Sequence, residues 1–154
     1  MKFIVFTSQP SYSYDIDEVS PRKIEKSREI IRLNSSKIFP RTIKGKTLNS
    51  LLFSFKFIIK LIRELLKVDI NLFIYTTEPP FMPFLGYLVS LFFNRPYVII
   101  LYDLYPDILV NTNTISKGSF VIKLWEIFNQ IVYKKANNLI VLSEPMKARI
   151  LSKY

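Results

Sequence analysis

The sequence predicts an α/β protein organised as a Rossmann-like, doubly wound parallel sheet. Three observations carry that expectation. Short apolar, β-prone runs alternate with longer segments of helical periodicity, the pattern of repeated βαβ units. The run Tyr97-Val-Ile-Ile-Leu101 has no polar break, as a strand buried on both faces reads. Polar and acidic residues then stand directly after the strands, and open α/β sheets bind ligands outside the carboxyl ends of their strands.

The elements follow in order. Lys2 to Thr7 is short, apolar and β-prone and reads as a strand; Ser8 to Asp15 is a polar, proline-marked loop. Ile16 to Lys37 is mixed and charged, with a short strand near Glu29 to Asn34, and Lys37 to Lys46 is a basic loop holding Pro40 and Gly45. From Thr47 to Lys67, Leu48, Leu51, Leu52, Phe55, Ile59, Ile62, Leu65 and Leu66 recur at helical spacing and make one broad apolar face. Phe53, Phe57 and Leu61 widen it, leaving Lys56, Lys60, Arg63 and Lys67 as a narrow cationic stripe. Such a helix either covers a sheet or lies in a membrane interface.

Asn71 to Thr76 is the next strand, closing on Thr76-Thr-Glu-Pro-Pro80, where two prolines cannot join a ladder. Phe81 to Phe93 is an apolar helix, expected to be buried nearly all round. The strand at 97–102 then meets Asp103, Tyr105, Pro106 and Asp107, and Pro106 stops further pairing. These acids are placed either for chemistry at a strand end or simply to cap the next loop and helix. After a polar loop, Asn111 to Gly118, the segment Ser119 to Lys135 is an amphipathic helix. Its Phe120, Val121, Leu124, Trp125, Phe128, Ile131 and Val132 face one way, and Lys134 and Lys135 suit the negative end of its dipole. Leu139 to Leu142 is a further strand, and Ser143 caps a helix that begins with Glu144.

Composition narrows the function. The 154 residues suit one domain, and a hydrophobic fraction of 49% excludes disorder. With no Cys and no His, disulfides, thiol chemistry, histidine bases and the usual zinc sites are all excluded. Gly45, Gly86 and Gly118 are the only glycines and none follows a strand, so no GxGxxG or Walker phosphate loop exists. The net charge of +10 is concentrated between Arg22 and Lys67, which points to an anionic partner. Nucleic acid is not the expected one, because the aromatics fall at buried positions rather than among the basic residues. Asn94, Arg95 and Pro96 split the most apolar stretch, 79–101, into runs of roughly 14 and 5 residues, short of the roughly 20 that a spanning helix needs. Met1 to Phe6 has too short an apolar core for a signal peptide.

Four fragments then suggest a family. Leu72-Phe-Ile-Tyr-Thr-Thr-Glu-Pro-Pro80, Asn94-Arg-Pro-Tyr-Val98, Tyr102-Asp-Leu-Tyr-Pro-Asp107, and Tyr133-Lys-Lys-Ala136 leading to Ile140-Val-Leu-Ser143 occur in the order and at the intervals of one known domain. With them, residues 71–154 resemble the N-terminal domain of family 4 glycosyltransferases of the GT-B fold, closest to the bacterial surface-polysaccharide branch. That branch usually writes the third fragment with Trp and Glu where Tyr105 and Asp107 stand. Many relatives have His where Tyr102 stands, so that histidine's chemistry is not available here.

The resemblance implies retaining transfer of a hexosyl-type sugar from a nucleotide-sugar donor to a sugar or lipid-linked acceptor. The donor would be held mainly by a C-terminal domain that these 154 residues do not include, so no cofactor is expected on this chain alone. On that reading the chain is a partial N-terminal domain, lacking the donor domain and also the first strand, turn and helix of its relatives. It would be inactive alone and partnered by a separately encoded donor domain. The expected acceptor cleft holds Thr77, Glu78, Asp103, Tyr105, Asp107, Ser143 and Glu144, with no metal. Lys56, Lys60, Arg63 and Lys67 form the expected surface for an anionic membrane, and the expected location is the cytoplasm, at the inner face of its membrane. The alternative is a non-catalytic peripheral membrane protein that uses the basic 22–67 region.

Overall fold

A computed structural model describes residues 3–8, 20–34 and 43–154. The loop expected at 8–15 and most of the basic loop expected at 37–46 lie outside the described residues. The chain divides into two compact units, Met1–Val68 and Asp69–Tyr154. The architecture is mixed α/β with parallel strands, but among the described residues the single sheet expected from the sequence is instead two sheets of three strands.

In the first unit, β1 (Phe3–Ser8) pairs in parallel with β3 (Arg28–Leu33), and β2 (Arg22–Glu25) completes the sheet as an antiparallel hairpin partner of β3. Lys26 adopts a left-handed backbone (φ 46°) in that hairpin turn. β3 is the central strand, with β2 on one edge and β1 on the other. Helix α1 (Ile43–Leu65) begins four residues earlier than expected. Its buried row is Ser54, Phe57, Leu61 and Glu64, with Phe57 edge-on to Phe6 of β1 at 5.5 Å. Leu48, Leu51, Phe55, Ile59, Ile62 and Leu66, expected to be the covered face, are exposed. The reason is electrostatic. Glu64 is 1% exposed and is met by Arg22 of β2 at 3.7 Å, Lys67 at 3.3 Å and Lys60 at 3.5 Å, while Arg22 also pairs with buried Glu29 of β3.

The second unit is three consecutive parallel strands, β4 (Phe73–Thr76), β5 (Tyr97–Leu101) and β6 (Asn138–Val141), with β5 in the centre. Between them run α2 (Met82–Phe93), the short α3 (Asp107–Asn111), which the sequence reading missed, and α4 (Phe120–Lys135); α5 (Glu144–Lys153) follows. The strands are added in one direction with no reversal, so right-handed crossovers bring α2 and α4 to the same face. Tyr75 lies directly beneath Gly86 of α2, and the Tyr97 hydroxyl donates to the Val132 carbonyl of α4. The two helices join through Phe81 on Trp125 (4.9 Å) and Phe84 on Phe128 (4.7 Å). Phe73, Tyr75, Tyr97, Ile99 and Leu101 fill that side. On the other face of this sheet Ile74 and Ile140 are exposed while Val98 is buried, and the parallel α/β arrangement is compatible with a Rossmann-like fold.

Two further expectations are corrected. Helix α2 is not buried all round; Met82, Gly86, Val89 and Ser90 face inward while Leu88, Leu91 and Phe92 are exposed. Helix α4 buries Ile122, Asn129, Val132 and Tyr133, whereas Phe120, Val121, Leu124 and Ile131 are exposed. Asn94 closes α2 in the left-handed region (φ 50°), its N–H donating to the Leu91 and Ser90 carbonyls, which ends the apolar stretch as its polar break suggested. Among the described residues, no helix is long and apolar enough to cross a membrane.

Candidate functional site at the carboxyl edge of the second sheet

Three parallel neighbouring strands place Thr76, Leu101 and Val141 at one edge, so the segments after them begin side by side. The tie between the first two is Thr77, which is 2% exposed. Its hydroxyl oxygen accepts from the Tyr102 N–H at 3.1 Å and the Asp103 N–H at 3.3 Å. One side chain thereby satisfies two amides that have just left the ladder, where buried donors need acceptors. The Glu78 carbonyl accepts from the Thr76 hydroxyl at 3.1 Å, closing the turn that carries Glu78 into solvent.

Tyr105 is held by its neighbours. Its ring stacks on Trp125 at 5.9 Å with the planes 10° apart, and its carbonyl accepts from Asn129 Nδ2 at 2.6 Å. Burial pushes the Tyr105 phenol up, and the nearby charges of Asp103 and Glu78 push it further. Tyr105 therefore keeps its phenolic proton at neutral pH and can donate a hydrogen bond, with Asp103 and Glu78 within electrostatic reach of it. Glu78, Asp103 and Tyr105 form a donor–acceptor cluster suited to hydroxyl groups.

The remaining candidates do other work. Asp107 opens α3 and is bound from α5 by Arg149 Nε at 2.8 Å and by Lys153 Nζ. Burial would raise its carboxyl, but the hydrogen bonds and charges of Lys153 and Arg149 outweigh that and hold it below its ordinary value. Its second expected role, a structural one at the head of the next helix, is the one the geometry favours. Ser143 caps α5 by accepting from the Met146 N–H at 3.4 Å, and Glu144 points to solvent and pairs with Lys147 at 3.4 Å. Both stand on the expected edge, but no described contact joins them to the Tyr105 cluster.

Asn129, Arg149 and Lys153 were missed by sequence reasoning. Asn129 is buried on α4 and reaches both the Tyr105 carbonyl and the Tyr154 hydroxyl at 3.3 Å. A lone Asn in an apolar helix face was the available signal. Arg149 and Lys153 at i, i+4 were the other. Together with Leu104, Asp107, Ile108 and Asn111, Arg149 lines an open groove of about 470 Å³ between α3 and α5. Among the described residues no group of acidic side chains could hold a metal ion.

In the first unit, the expected cationic stripe is partly neutralised, since Lys60 and Lys67 both lean on Glu64. Comparison with protein-family models, curated proteins and solved structures finds no match for this chain.

Proposed function

We propose that this chain is the acceptor-side domain of a GT-B-type glycosyltransferase, holding a sugar or lipid-linked acceptor while a second domain presents a nucleotide-sugar donor. The observation that supports this most is the Thr77 bridge, which ties the segment after β4 to the start of the segment after β5 at Asp103, with Glu78 and the Tyr105 phenol following directly in those two segments. Sugar hydroxyls both donate and accept, and this cluster offers both halves of that pairing. Two of the fragments that resemble the glycosyltransferase family, Leu72 to Pro80 and Tyr102 to Asp107, run through these same strand ends. The alternative, a non-catalytic membrane protein acting through its basic 22–67 region, draws less support because Glu64 occupies two of the four named cations.

The test is binding of neutral short-chain alkyl glycosides, which carry an acceptor's sugar hydroxyls without its phosphates, to the whole chain, followed by ligand-observed NMR. Binding should weaken about tenfold or more in Asp103→Ala and in Glu78→Ala, the loss expected for a hydrogen bond to a charged group. Glu144→Ala should leave it unchanged. Absence of binding, or equal binding by all three variants, would remove the acceptor role.

A further inference from the structure

We propose that the outer surface of the α2–α4 layer is a docking surface for an anionic lipid bilayer. A helix that covers a sheet normally presents a polar face to water; these two do not. At 100° per residue, Phe120, Leu124, Ile127 and Ile131 fall in one row on α4, diametrically opposite the buried row of Ile122, Asn129 and Val132. Phe120, at the start of α4, is 77% exposed, and Phe92, at the end of α2, is 84% exposed. Helix α2 contains no charged residue at all.

The charges choose the occupant. Lys123 and Lys134 flank the α4 row on one side and Lys135 flanks it on the other, all three exposed. Among the described residues none of the three is in an ion pair. The single acid of α4, Glu126, is turned away and taken by Lys153 at 2.8 Å. An apolar row bordered only by lysines matches a surface that is apolar below and negative above, which is a bilayer with anionic headgroups. A second copy of this face would set lysine against lysine, so charge disfavours self-pairing. Because no described helix can span the hydrocarbon, the chain would lie on the bilayer, its row entering to the headgroup boundary.

Flotation of the full chain tests this, with vesicles of pure phosphatidylcholine and with vesicles carrying about one-third phosphatidylglycerol. Three surface lysines should make an anionic preference of about a hundredfold. That preference should collapse as salt rises from about 0.01 to about 1 M, which shortens the reach of exposed charges from about 30 to about 3 Å. The double variant Phe92→Ser, Ile127→Ser should lose binding, as should Lys123→Glu with Lys134→Glu. All four positions are exposed, and circular dichroism confirms that each variant folds. Ile140→Ser on the opposite sheet face and Arg63→Glu on α1 should bind as the parent does. Equal binding to both vesicle types, or loss only in Arg63→Glu, would overturn the proposal. So would stable self-association that the double variant abolishes, with no vesicle binding; that result assigns the face to a second copy.

Discussion

At the scale of single residues, the second unit depends on polar side chains that serve backbone or helix ends. The Thr77 hydroxyl is the acceptor for two amides, so Thr77→Val keeps the shape while leaving both donors without it. Leaving buried donors unsatisfied costs about 1–3 kcal/mol. We expect that loss in urea unfolding of Thr77→Val, and a near-parental value for Thr77→Ser; equal stability of all three would mean that water replaces the hydroxyl. Asp107 makes a second prediction, with a definite sign. Its carboxyl is held below its ordinary value near 3.8, so between the folded and unfolded values the unfolded chain binds more protons. The stability that Asp107 contributes is therefore complete above about pH 4 and is lost as pH falls further. Asp107→Asn should cost about 1–2 kcal/mol at neutral pH, a charge-assisted pair discounted for partial exposure. Its acid unfolding limb should also be shallower than the parent's. A limb of unchanged slope would show that the Arg149 and Lys153 contacts do not stabilise α5.

At the scale of elements, close packing decides which helix face goes inward. A Cβ on Gly86 would lie 2.5 Å from the Tyr75 ring, which is buried and cannot step aside. Alanine gains about 1 kcal/mol of helix propensity, but overpacking a filled core costs about 1–3 kcal/mol. Gly86→Ala should therefore be destabilised, and a raised melting temperature would contradict this contact. Helix existence was legible in the sequence, because the apolar spacing marked 81–93 and 119–135 to within one residue and 47–67 to within four. The buried face was not. In α1 the exposed row is more apolar than the row that packs, since Glu64 and Ser54 go inward to meet Arg22 and the helix's own backbone. Helical periodicity reports where apolar residues align, whereas burial also follows ion pairs made with strands far away in sequence. The site was legible in the same limited way. Thr77, Glu78, Asp103 and Tyr105 stood out by following strands, but the pairing of Asp107 with Arg149 and Lys153 spans 42 and 46 residues and no local pattern announces it.

At the scale of the whole molecule, the proposed acceptor role sets a limit on what these 154 residues can do alone. Transfer requires donor and acceptor in near-attack geometry, and orientation accounts for roughly 7–11 kcal/mol of the barrier reduction. The Glu78–Asp103–Tyr105 cluster offers groups for hydroxyls and none for a diphosphate: its charges are negative, and no glycine loop follows any strand. Arg149 and Lys153 of α5 are committed to Asp107. A nucleotide sugar would meet repulsion at this edge rather than a cradle. With no His in the sequence, no imidazole is available for proton transfer near neutral pH. We therefore expect the purified chain, offered radiolabelled nucleotide sugars and lipid-linked acceptors, to form no labelled product. Adding a separately expressed donor-binding domain that completes the fold should restore transfer, and Asp103→Ala should abolish the restored activity. Turnover at ordinary enzymatic rates by the chain alone would place a donor site within it and refute the division of labour proposed here.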